Sequence, residues 1–289
     1  MKSSLSPIVS GVMNWGQCGQ KLDTKGMSDL MIHFKDHGIT TFDHADIYGN
    51  YTTEAQFGAA FKTSGIHRKD IQLISKCGIM KVSENKNYRV GHYSYTYQHI
   101  MQSCEQSLKN LNTDYLDVFL MHRPSPLMDP HVMKQAVTKL IEDGKILEFG
   151  VSNFTPSQTE IIRALIPTAY NQIEFSLTKF QPLIDGQLDH MMLHKIKPMA
   201  YAPLGSLFKE MDDQNYRISQ VIHILCQKYD VEKDTLLLHW ILRHPAGIIP
   251  VVGTTNPTRI SRLPDALTLN ITEEEWFELW EASMGHPVP

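Results

Sequence analysis

The run TTFDHADIYG, residues 40–49, decides how this chain is read. Thr40, Thr41 and Phe42 are strand formers. The run stops at the carboxylate of Asp43, where a buried parallel strand would meet solvent. Tyr48 stands five residues later, directly before Gly49, with Thr52 and Thr53 placed to cap a helix. An acid at a strand end and a phenol in the turn that follows can face one cleft.

Working outward, the flanks alternate between the two periodicities. Upstream, residues 8–13 read as a first strand and 14–26 as a Gly-containing loop; 27–37 carry Leu30, Met31 and Phe34 at helical spacing, and Gly38 is placed to stop that helix. Downstream, strands are expected at 71–76, 116–121, 146–151, 169–174, 198–201 and 248–252. Helices are expected at 53–62, 96–111, 131–143, from Thr155-Pro156 onward, 188–195, 215–229, 234–243, 257–263 and 273–283. Thr155 before Pro156 is a cap followed by proline at the first helical position, and Thr272 with Glu275 is a capping box. Residues 77–97, long and polar for a βα connection, carry Tyr88, His92, Tyr93, Tyr95 and Tyr97 and read as a functional or mobile loop. Eight strands alternating with helices fit a (β/α)8 barrel or a doubly wound sheet. The length of 289 residues favours the barrel, and the absence of GxGxxG after the first strand weakens a dinucleotide-binding doubly wound sheet. With no linker, repeat or low-complexity tract, residues 1–289 read as a single α/β barrel domain.

Composition narrows the partners. Hydrophobic residues at 42%, charged residues at 20% and a formal net charge of −4 are ordinary for a globular protein and argue against a nucleic-acid partner. No apolar run approaches the roughly 20 residues of a membrane span, so no membrane partner is expected. The amino-terminal MKSSLSPIVS lacks the apolar core of a signal peptide. Four dispersed cysteines without CxxC fit free thiols in a reducing cytoplasm. The sequence is silent on oligomeric state; a monomer would satisfy it.

Polar residues fall in register with the expected strand ends. Asp43 ends one strand, Lys76 the next, His122 follows a third, and Ser152 and Asn153 follow a fourth; Gln172, Tyr201 and Gly253 continue the series. In a barrel these open on the carboxyl-terminal face, where the chemistry of such folds sits. Asp43, Tyr48, Lys76 and His122 form a coherent set. A phenol has a pKa near 10; an adjacent ammonium favours its ionised form, and a buried lysine needs a carboxylate partner. With His122 as an orienting donor, the set suits protonation of a carbonyl oxygen in step with hydride delivery to its carbon. No serine or cysteine has a local base. No HxH or HExxH occurs, and DHAD lacks further ligands at metal-site spacing, so no metal is expected. His33, His37, His190, His194, His223 and His239 fall on expected helices and read as structural or solvent-facing.

These segments resemble the aldo-keto reductase family over nearly the full length. They are GVMNWG (11–16), FDHADIYG (42–49), SKCG (75–78), CEQSLKNLNTDYLD (104–117), LMHRP (120–124), GKILEFGVSNF (144–154), NQIEFS (171–176) and PVVGTTNPTRI (250–260). Within the family, HADIYG and SKCG are most like the bacterial YdhF-like oxidoreductases. The resemblance implies an NADP-dependent oxidoreductase reducing aldehyde or ketone carbonyls. Tyr48 would be the general acid, Lys76 its modulator, Asp43 the salt-bridge partner of Lys76 and His122 the orienting donor. It further implies that Ser152, Asn153 and Gln172 hold the nicotinamide carboxamide of NADP(H), that Tyr201 stacks on the ring, and that Pro203, Leu204 and Gly205 pass under the pyrophosphate. Gly253, Thr254, Thr255 and Arg259 would contact the adenosine end, with Arg259 the natural partner of a 2′-phosphate. Gly253 stands where many members carry lysine, which leaves NAD(H) open as a cofactor. The chain ends soon after its last helix, without the long carboxyl-terminal loop of some relatives, so an open substrate pocket is expected, shaped by Trp15 and by 77–97, including His92 and Tyr93. A cofactor-binding regulatory barrel with slow turnover and a metal-dependent barrel hydrolase are the rival readings.

Overall fold

The computed structural model describes residues 5–209 and 211–288. The first four residues, part of the stretch read above for a targeting signal, lie outside them. In chain order the strands are β1 (Val9–Gly11), β2 (Thr41–Asp43), β3 (Gln72–Cys77), β4 (Ile79–Met80), β5 (His92–Tyr93), β6 (Leu116–Met121), β7 (Ile146–Ser152), β8 (Tyr170–Glu174), β9 (Lys197–Tyr201) and β10 (Ile249–Val252). The helices are α1 (Thr24–Asp36), α2 (Thr53–Thr63), α3 (Tyr97–Leu111), α4 (Pro130–Glu142), α5 (Pro156–Arg163), α6 (Gln187–His194), α7 (Asp213–Tyr229), α8 (Lys233–Leu242), α9 (Pro257–Arg262), α10 (Asp265–Thr268) and α11 (Glu273–Met284). Eight strands close into a parallel barrel in the order β1-β10-β9-β8-β7-β6-β3-β2, so the expected (β/α)8 barrel is the fold and the open doubly wound sheet is not. β4 and β5 pair antiparallel outside it and give residues 77–97 a hairpin where the sequence suggested a loop.

Strand alternation explains both the core and the face above it. Side chains of a strand point alternately to its two sides. Val9, Ile74, Val118, Leu120, Tyr170, Met199, Ile249 and Val251 form one buried cluster contributed by six barrel strands, the filled interior of the barrel. The alternate residues Phe42, Leu73, Phe119, Met121, Val151, Ile173 and Ala200 instead join the clusters beneath the helices. Two residues beyond Ile74 comes Lys76, beyond Leu120 His122, beyond Tyr170 Gln172, beyond Met199 Tyr201, and beyond Val251 Gly253. The inward parity that fills the barrel therefore continues upward into the polar residues Lys76, His122, Gln172 and Tyr201 at its carboxyl-terminal mouth, with glycine at 253.

Most helices start within two residues of where the sequence places them, but α1 begins at Thr24, inside the stretch read as a loop, and α10 has no counterpart among the expected helices. Thr155 and Thr272 make complete capping boxes with Gln158 and Glu275. Thr52 occupies the N-cap of α2 without a capping bond, because its hydroxyl turns back to donate to the Gly49 carbonyl at 2.6 Å. The last helix is fastened by Trp240 and Trp276, stacked 4.9 Å apart, each indole N–H donating to the other's carbonyl.

Candidate active site

Asp43 ends β2 and Lys76 lies one residue before the end of β3, both pointing into the barrel mouth. All three ammonium donors of Lys76 are used: to Asp43 Oδ2 at 2.7 Å, to the His44 carbonyl at 2.8 Å and to the Tyr48 hydroxyl at 3.1 Å. Lys76 is 0% and Asp43 2% exposed, so the pair survives burial only because each partner satisfies the other. The second Asp43 oxygen accepts from Gln172 Nε2 at 3.1 Å. Tyr48 reaches this cluster because the chain after it reverses sharply: Gly49, Asn50 and Tyr51 all have positive φ. At Gly49 a Cβ would meet Thr53 Oγ1 at 2.3 Å, so glycine is required there.

Burial works to lower the Lys76 ammonium, but Asp43 and Tyr48 outweigh it and hold the pKa above its ordinary value. Burial pushes the Tyr48 phenol up, opposed by Lys76, and burial prevails. Lys76 thus acts on the phenol in the lowering direction expected from the sequence, but burial outweighs it and Tyr48 is held as the neutral phenol. His122 follows β6, its ring edge-on to Tyr48 with centroids 6.1 Å apart. Burial, then Lys76, lowers its pKa well below the usual histidine value, so the imidazole is neutral. Its Nδ1 is buried without a partner.

The opposite wall is an amide network. Asn153 takes a left-handed φ of 62°, which asparagine tolerates. Its side chain donates to Ser152 Oγ at 2.9 Å and to the His122 carbonyl at 3.3 Å, and accepts from the Tyr201 hydroxyl at 2.9 Å. Ser152 Oγ donates to the Gln172 carbonyl at 3.0 Å. Between the walls lies a cavity of about 550 Å³. Asp43, Tyr48, His122, Ser152, Asn153, Gln172, Tyr201, Pro203 and Gly253 line it, with Lys76 directly beneath. A reduced nicotinamide dinucleotide fits these residues: His122 Nδ1 is an orphaned polar atom, Asn153 and Gln172 supply amides, and a Cβ at Gly253 would meet only Asn14 Nδ2, at 3.4 Å.

Other expected residues lie elsewhere. Trp15 does not shape the pocket. It is 0% exposed and packs against Phe34, Phe42 and Phe57, in the core under α1 and α2. His92 and Tyr93 form β5 on the outer hairpin, exposed and outside the cavity lining. Leu204 packs on the core, and Gly205 presses against Thr178, where a Cβ would meet Oγ1 at 2.0 Å. Thr254, Thr255 and Arg259 stand beyond the cavity lining, past Gly253. There Thr254 Oγ1 accepts from the Asn256 amide, and Asn256 caps α9 through the Arg259 amide.

The structure adds residues that sequence reading passed over. Met13, Asn14, Cys18, Ile47, Ile79, Lys81, Arg123, Ala202 and Lys209 also line the cavity. Arg123 had a signal, its place beside His122 in LMHRP. Tyr95, read above as part of a functional or mobile loop, is buried; its hydroxyl donates to the Arg123 carbonyl and accepts from the Arg123 amide at 3.1 Å. A second cavity of about 670 Å³ lies across Ile79, lined by Asp46, Tyr51, Glu54 and Lys86 among others, and holds none of the tetrad.

A (β/α)8 barrel with a buried lysine–aspartate pair against a neutral tyrosine and a neutral histidine at its carboxyl-terminal mouth has the groups with which a proton can be moved at a small polar ligand. The family model described as "Aldo/keto reductase family" matches residues 7–283, and the chain belongs to that family. It is 36% identical to the oxidoreductase YdhF of Escherichia coli (strain K12), covering 96% of this chain and 92% of YdhF. The likeness is not to YdhF above others: identity reaches 41% with the uncharacterized oxidoreductase YcsN of Bacillus subtilis (strain 168), over 88% of this chain and 87% of YcsN. The crystal structure of an aldo/keto reductase from Klebsiella pneumoniae in complex with NADP and acetate superposes with a TM-score of 0.79 at 24% identity, covering 99% of this chain and 93% of that one, and so shares the fold. Family and fold point to an oxidoreductase.

Proposed function

We propose that the protein is an NADPH-dependent carbonyl reductase that converts an aldehyde or ketone to the alcohol, with Tyr48 as general acid. The observation that carries this reading is the bond from Lys76 Nζ to the Tyr48 hydroxyl at 3.1 Å, within a lysine whose other two donors are already committed. Bound at the mouth, the reduced nicotinamide supplies the hydride. The rest belongs to the chain. Asp43 fixes Lys76, Lys76 stabilises the phenolate left when Tyr48 gives its proton to the carbonyl oxygen, and neutral His122 orients that oxygen. Ser152, Asn153 and Gln172 would hold the carboxamide, Tyr201 would stack on the ring, and Pro203, Leu204, Gly205, Gly253, Thr254, Thr255 and Arg259 would carry the dinucleotide away from the centre. The NADP named with the Klebsiella pneumoniae structure supports this choice of cofactor.

The test is NADPH oxidation by the purified protein over a panel of small aldehydes and ketones, with Tyr48→Phe alongside. The variant should keep NADPH binding and lose about 10² to 10⁴ in turnover, the range for removal of a positioned acid. Wild-type turnover in Tyr48→Phe would remove the assigned acid. Oxidation of bound NADPH in a single turnover without steady-state turnover would mark a cofactor-binding sensor instead.

A further inference from the structure

On the flank of the barrel, away from the mouth, α5 and α6 bring three potential metal ligands together. His190 and His194 are one turn apart on α6 and so share a face, and Glu160 reaches them from α5. One nitrogen of each imidazole and one carboxylate oxygen all lie within 4.8 Å of one another. His190 Nε2 is 2.7 Å and His194 Nε2 3.3 Å from the same atom, Glu160 Oε1. That oxygen also accepts from Arg163 Nε at 2.7 Å. Three nitrogens thus converge on one carboxylate oxygen, more donors than its two lone pairs can serve. If either imidazole instead turns a lone pair toward the oxygen, the two repel. A cation among the three atoms resolves both cases, because it takes lone pairs from two neutral imidazoles and from the carboxylate together.

We propose that Glu160, His190 and His194 form a zinc(II) site that clamps α5 to α6. Two imidazoles and one carboxylate are a ligand set zinc accepts, with bonds of about 2.0–2.2 Å. Tetrahedral geometry with such bonds places ligand atoms about 3.3 Å apart; His194 and Glu160 already stand at 3.3 Å. The side chains retain 12%, 22% and 41% exposure for His190, His194 and Glu160, which leaves a path for the ion and a fourth position for water. Arg163 Nη2, 2.9 Å from Glu160 Oε2, keeps that oxygen while Oε1 turns to the metal, and so orients the carboxylate from outside. None of the three ligands lines the cavity at the mouth, so the site is independent of the carbonyl chemistry.

The experiment is calorimetric titration of chelator-stripped full-length protein with Zn²⁺, on wild type and on His190→Asn, His194→Asn and Glu160→Gln. His37→Asn serves as control, because His33 near the end of α1 and His37 at its C-cap form a second histidine pair in ring contact. One Zn²⁺ per chain is expected, with affinity reduced at least tenfold in each of the three variants and changed less than threefold in the control. Zn²⁺ should raise the wild-type melting temperature and leave His194→Asn unmoved. Equal thermal unfolding of the variants and wild type in chelator checks that the fold is intact. Absence of stoichiometric binding, a loss below tenfold in either histidine variant, or a control as weak as the site variants would overturn the assignment.

Discussion

At the residue scale, His44 stands between two acids in DHAD, yet its ring is buried edge-on against Phe57, centroids 4.3 Å apart, with neither nitrogen bonded. Burial, then Lys76, drives its pKa well below the usual value. The consequence for stability has a definite sign. Below about pH 6.5 the unfolded chain takes a proton on this imidazole and the folded chain does not. Stability is therefore complete above that pH and falls as pH falls, by up to about 1.4 kcal/mol per unit. Asp46 and Glu54, raised chiefly by burial, act in the opposite sense, since their protonated folded forms lose stability as pH rises through the folded values. The His44 share is isolated by comparison with His44→Leu, of similar volume. Between pH 7.5 and 5.5 the variant should lose about 1 kcal/mol less than wild type in urea unfolding. An identical pH dependence in the two would show that His44 is protonated in the fold. Lys76 is the contrasting case: a buried charge whose every donor is met, and whose role was legible because only a strand-end acid such as Asp43 could partner it.

At the scale of elements, the β4–β5 hairpin secures the active-site loop through one residue beyond it. Tyr95 slides under Gly78, whose φ of 110° and missing Cβ leave room for the ring, since a Cβ there would meet Tyr95 Cε1 at 2.2 Å. From that position its hydroxyl bonds both backbone groups of Arg123, next to His122. Tyr95→Phe leaves a carbonyl and an amide without that partner, a loss of about 1–3 kcal/mol in denaturant unfolding. A fall in kcat/KM should accompany it, carried by KM, because Arg123 lines the cavity while the Lys76–Tyr48 bond is untouched. An unchanged stability would mean that the Arg123 backbone is satisfied without Tyr95. This hairpin was not legible in the sequence. Two-residue strands are too short to show an alternation, and the tyrosines of 77–97 read alike although Tyr95 is buried and Tyr93 is not. Most barrel strands were legible because they pair an apolar run with a polar residue at the inward parity, as Ile74 does with Lys76, whereas β1 and β10 carry Gly11 and Gly253 there. Trp15 was misplaced for a related reason. A loop aromatic can turn either way, and Phe34, Phe42 and Phe57 from three separate elements turn it inward. The Glu160 cluster was invisible because its third ligand comes from another helix.

At the scale of the whole molecule, the barrel closes a ring in which β1 sits beside β10, so Asn14 and Gly253 meet across the seam between the two ends of the chain. A dinucleotide extending from Tyr48 past Gly253 toward α9 would therefore bridge the first and last strands and stabilise the closed barrel as a unit. Mass action sets the scale, about 2.7 kcal/mol at a ligand concentration 100 times Kd. In the proposed reading the distinction between cofactors would rest on Arg259, exposed in the first turn of α9, whose backbone amide is held by the Asn256 cap. With glycine at 253, Arg259 is the charged group assigned to a 2′-phosphate, and a charge-assisted bond of that kind contributes about 1.5–3 kcal/mol. NADPH should raise the melting temperature more than NADH at equal concentration. Arg259→Ala should remove most of the difference by weakening NADPH about 10- to 100-fold, while NADH binding stays as in wild type. Because Arg259 is exposed, the NADPH advantage should also shrink as salt rises from 0.01 to 1 M, over which the screening length falls from about 30 to 3 Å. Equal shifts for the two cofactors in the wild-type protein would take the 2′-phosphate away from Arg259 while leaving the proton chemistry of Tyr48 where it stands.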